Sequence, residues 1–122
     1  MKVQLFGALL ALSMSNAVAQ DSTTARPATP KEEQAVLEAL KGRLKDPDSA
    51  KVSNVKVSAD GKTVCGLVNA KNSFGGYTGD SVFYVMAFIR EASDPVYAVV
   101  GVDSGRDTGA ATLCAKDGVK IY

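Results

Sequence analysis

Two nearly continuous apolar runs, "SVFYVMAFI" from Ser81 to Ile89 and "VYAVVGV" from Val96 to Val102, are separated by six residues. A half-exposed strand would alternate apolar and polar side chains, so runs of this kind predict central strands covered on both faces. Two further strands are predicted upstream, Val52 to Ser58 and Thr63 to Ala70, joined by a tight turn at Asp60-Gly61. "TLCAKDGVKIY" reads as a final short hairpin turning at Asp117-Gly118.

One helix is predicted before the strands. Thr29 is its N-cap, Pro30 its first residue and Glu32 the reciprocal partner of a capping box. Val36, Leu37, Leu40 and Leu44 then fall on one face, with Arg43 and Lys45 in the last turn, and Pro47 stops the helix. The expected fold is α+β: one N-terminal amphipathic helix of about fifteen residues on a four- to five-stranded, mainly antiparallel sheet. Such a helix covers one face of a small sheet. The apolar surplus of Ser81 to Ile89 therefore asks for a second cover, from the 71–80 or 103–111 loops, from sheet curvature or from another chain.

Residues 1–19 are expected to lie outside the fold. Lys2, an apolar stretch from Val3 to Leu12 and the small residues Ala17-Val18-Ala19 form a signal-peptide layout cut after Ala19. The apolar stretch is about half the roughly twenty residues a membrane span needs, so no span is expected after cleavage. Residues 20–29, "QDSTTARPAT", read as a flexible leader, leaving 30–122 as one domain. A chain with this layout is expected to be exported to an oxidising compartment. There Cys65 and Cys114 are expected to pair, closing a loop worth roughly 4 kcal/mol on the chain-entropy model. A redox role would call for closer spacing and a reactive thiolate setting.

The function classes narrow by what is missing. The 122 residues include no histidine, which removes Ser-His-Asp and Cys-His catalysis and histidine-based metal sites. "GGYTG" lacks the lysine ending of a phosphate loop, and "VDSGRDTG" lacks the ligand density of a calcium loop. A Lys71–Ser73 dyad needs a buried lysine, which a glycine-rich loop does not provide. No catalytic residue, metal or cofactor is therefore assigned. Without Lys2 the chain has 13 basic and 13 acidic residues, which gives no footprint for nucleic acid or an anionic membrane.

"NAKNSFGGYTGDS", Asn69 to Ser81, is the candidate site. One reading is a strand-to-strand loop in which Gly75, Gly76 and Gly79 supply positive backbone angles, with Phe74 and Tyr77 capping the core. The other is a recognition loop, with Asn69, Lys71, Asn72, Ser73, Phe74 and Tyr77 as binding residues and the ring of Tyr77 exposed.

"LKDPDSAKV" (Leu44 to Val52) followed by "VCGLVNAKNSFGGYTG" (Val64 to Gly79) resembles a group of small exported bacterial proteins without an assigned function. These pair a DPDSA(K/Q)F segment with a VCGxVNAKNSxGGYxG segment. Val52 stands where the first segment usually has Phe, and Asp80 where an aromatic often follows the second. The resemblance implies a bacterial periplasmic or secreted setting and names no reaction. The expectation is a non-enzymatic protein-binding module of the cell envelope, inhibitor- or immunity-like, whose partner is another envelope or secreted protein. The alternative is a structural accessory subunit of an envelope or phage-related assembly, with room for self-association.

Overall fold

The computed structural model describes residues 24–104 and 108–122. The expected signal peptide, and Arg106 of the "VDSGRDTG" stretch, lie outside the described residues. Among the described residues, five strands form one antiparallel sheet in chain order: β1 (Arg26–Pro27), β2 (Lys51–Val57), β3 (Thr63–Asn69), β4 (Ser81–Arg90) and β5 (Ser93–Ser104). Two helices accompany it, α1 (Pro30–Lys41) and α2 (Gly109–Lys116), with a 3₁₀ turn at Pro47–Ser49. No helix among the described residues is long and apolar enough to cross a membrane.

The start of α1 is the one its residues predict. The Thr29 hydroxyl accepts from the Glu32 amide, and the Glu32 carboxylate accepts from the Thr29 amide 3.0 Å away. The helix is shorter than expected. Gly42 caps it after Lys41, so Arg43 and Lys45 lie beyond it rather than in its last turn. Val36 and Leu40 are fully buried and pack with Val55, Val57, Val64, Val68, Phe83 and Val85 into the larger core.

The leader is held from Arg26 onward. Arg26 and Pro27 pair with Val57 and Lys56, and Ala28 N donates to Val55 O. The Arg26 guanidinium also forks onto both oxygens of Glu32, at 2.7 and 2.9 Å. Backbone pairing and an ion pair need no apolar side chains, so a reading based on composition passes over them.

The expected last hairpin is a helix. Thr108 caps α2 through its hydroxyl, and the Asp103 carboxylate accepts from the Ala110 amide. The Asp117-Gly118 pair closes the helix instead of turning a hairpin. Gly118 takes φ +81°, its amide donates to Ala115 O, and the Val119 amide donates to Cys114 O at 2.8 Å. That is the Schellman arrangement, in which glycine supplies the left-handed residue after a helix end. A left-handed glycine serves both a hairpin and a helix stop, so the dipeptide alone does not choose.

α2 answers the question raised by the apolar runs. It lies on the face opposite α1, where Ala110, Cys114 and Val119 pack with Cys65, Val82 and Tyr84 in a second core. The Cys65–Cys114 disulfide joins β3 to α2 inside that core. Helices thus flank part of the sheet on both sides, and the cover is partial. Met86, Phe88, Val96 and Val100, from the far half of the β4–β5 hairpin, remain exposed. The run Val96 to Val102 belongs to β5, an edge strand and not a central one. A register shift beside Val85, Pro95 within the strand, and the Arg43 guanidinium donating to Val99 O at 3.0 Å all interrupt that edge as a template for pairing.

Candidate functional site

The loop between β3 and β4 is built largely from its own polar side chains. Lys71 and Tyr77 form an antiparallel bridge at its neck, and the Asn72 amide donates to Gly76 O at 2.8 Å. The Asn72 side-chain oxygen accepts from the amides of Phe74 (2.9 Å) and Gly76 (3.2 Å), as an asparagine does when it organises a turn. Asn69 does the same lower down, accepting from the Gly79 amide. Gly75 and Gly79 take φ of +82° and +92°, conformations that L side chains rarely adopt. Gly76 departs from the expectation. It is not in the left-handed region, and a side chain there would meet open space.

The neck is fastened to the 3₁₀ turn through Ser49. The Ser49 hydroxyl accepts from the Lys71 amide at 2.8 Å, and its carbonyl accepts from the Tyr77 hydroxyl at 3.1 Å. The two segments "DPDSA" and "NAKNSFGGY", with eighteen residues between them in the chain, therefore meet at one serine. The Nζ atoms of Lys51 and Lys71 lie 5.1 and 5.5 Å from the centre of the Tyr77 ring, close enough for cation–π attraction. Lys71 is thus directed at an aromatic face, not engaged with the Ser73 hydroxyl.

These contacts divide the predicted residues into two groups. Asn69, Asn72 and Tyr77 hold the loop, although Tyr77 stays 43% exposed. Ser73 is exposed beside them. Phe74 does not cap the core: at the tip, 97% of its surface is open to solvent. An aromatic ring kept in water on an internally bonded loop forgoes roughly 2 kcal/mol of burial.

Beside Phe74 runs an open groove of 320 Å³ between the chain after α1 and the loop, lined in part by Arg43, Leu44, Lys45, Ala70, Lys71 and Phe74. Arg43 and Lys45 are not legible as site residues in the sequence, because its spacing predicts a longer helix that includes them. Gly42, which frees them from it, is the one available signal. Among the described residues no buried side-chain polar atom lacks a hydrogen-bond partner, and no group of three or more Cys, Asp or Glu side chains could hold a metal ion. No protein-family model matches the chain, and no curated protein or solved structure matches it.

Proposed function

We propose that this chain is an exported, non-enzymatic protein-binding module of the bacterial cell envelope, inhibitor- or immunity-like in action, that docks through the 71–80 loop. The observation that carries the reading is Phe74: a fully exposed aromatic at the tip of a loop stiffened by Asn72, Gly75 and the Ser49 anchor. Interfaces gather their energy in a few aromatic and arginine anchors, and an ordered loop loses less entropy on binding. The Cys65–Cys114 bridge fits an oxidising compartment.

Capture from envelope extract with wild type and Phe74→Ala tests it. A partner retained by wild type and lost with the variant supports the loop. Identical partner sets, or none, count against it. Tyr77→Ala is a poorer test, because Tyr77 also fastens the loop to Ser49.

A second reading, an accessory subunit of a larger assembly, is favoured by the exposed strip of Met86, Phe88, Val96 and Val100. Solution mass separates the two. A stable oligomer dispersed by Phe88→Asp supports the assembly, and a monomer supports the docking module.

A further inference from the structure

We infer that the groove beside Phe74 receives an acidic, extended segment of the partner protein, an inference that rests on the docking role proposed for the loop. Arg43, Lys45 and Lys71 line this groove, and no carboxylate does so among the described residues. The chain as a whole is nearly balanced, with 14 basic and 13 acidic residues, so a lining of one sign is a local departure from its average. None of the three cations is in an ion pair among the described residues.

Two of them are already positioned. The Arg43 guanidinium is held by Val99 O, and the Lys71 ammonium by the Tyr77 ring. A guanidinium fixed through one N–H keeps others for a carboxylate, and a side chain ordered beforehand loses less entropy on binding. Leu44, Ala70 and Phe74 add apolar surface to the same groove. The site calls for carboxylates interleaved with aliphatic side chains. An open groove at the small end of the pocket range suits a chain lying across it better than an enclosed small molecule.

A nucleic acid fits less well, because it presents a charge at every phosphate and needs a basic track. Here Asp46 and Asp48 stand one and three residues after Lys45, and Asp80 closes the loop. An acidic peptide can place its carboxylates at the three cations alone.

The test uses the purified chain with its disulfide intact and fluorescence anisotropy. The probe is a short labelled peptide of alternating aspartate and leucine. Its asparagine–leucine counterpart and an oligothymidylate of equal charge are the comparisons. The acidic probe is expected to bind about tenfold or more tightly than the asparagine peptide and to weaken as salt rises. Lys45→Glu combined with Lys71→Glu, the first exposed and the second half-buried, is expected to lower its affinity about tenfold or more. Equal binding of the asparagine peptide, equal binding of oligothymidylate, or indifference to the charge reversal overturns the inference. If the probe fails while Phe74-dependent capture from extract persists, the acidic occupant falls and the docking loop stands. Failure of both overturns the loop as well.

Discussion

Gly66 of β3 faces Phe83 of β4, and a methyl group on Gly66 would lie 2.7 Å from the Phe83 ring and 3.1 Å from the Val55 backbone. Phe83 is fully buried in the core beneath α1, so its ring has no room to withdraw. Gly66→Ala is expected to lower stability by about 1–3 kcal/mol, the usual range for overpacking. Urea unfolding checks this, and the loss should shrink in a Phe83→Leu background. An equal loss in both backgrounds would place the strain elsewhere.

Asp117 ties the end of α2 to the sheet. Its carboxylate accepts from the hydroxyls of Thr63 and Tyr84. Asp117→Ala leaves both donors without that acceptor and is expected to lower stability by about 1–3 kcal/mol. The Tyr84 hydroxyl is held above its ordinary pKa, first by its hydrogen bond to Asp117 and then by burial. The folded state therefore keeps a proton that the unfolded chain releases near pH 10. Stability from this contact should be complete below about pH 10 and fall as pH rises beyond it. Ultraviolet titration of Asp117→Ala should show Tyr84 ionising at lower pH than in the wild type.

Glu32 carries a linkage of opposite sign. The Arg26 fork, with help from the Thr29 amide and hydroxyl, holds its carboxyl down at about 2 against an ordinary 4.5. Its contribution is present above pH 4.5 and lost as pH falls from there towards 2. Thermal unfolding between those limits should drop more steeply for wild type than for Glu32→Gln. Parallel curves would show that the exposed side of the Arg26 pair is screened by solvent.

Asn72 should govern the loop without governing the fold. Asn72→Ala removes the acceptor shared by the Phe74 and Gly76 amides, in an exposed segment apart from both cores. Hydrogen exchange at those two amides is expected to quicken several-fold, while global stability changes by no more than about 0.5 kcal/mol. A large global loss would show that the loop supports the sheet.

Local physics made α1 legible. Its cap, its proline and its buried face act within three or four positions of one another, so Thr29, Glu32, Val36 and Leu40 could be read directly. The strands of the two apolar runs and the Asp60-Gly61 turn were legible for the same reason. So were the two cysteines as a pair, since an even count leaves one intrachain pairing. What tertiary structure decided depends on residues far apart in the chain. The Asp117-Gly118 pair ends a helix because Val119 and Cys114 pack against Cys65 and Val82. β5 is an edge because, among the described residues, no further strand of the sheet lies beyond it. The roles expected of Tyr77 and Phe74 also separate only in three dimensions. Ser49, twenty-eight residues away, takes the Tyr77 hydroxyl and leaves Phe74 as the more exposed of the two rings. A residue type and its neighbours set what a side chain can bond to, and only the fold decides which distant partner it meets.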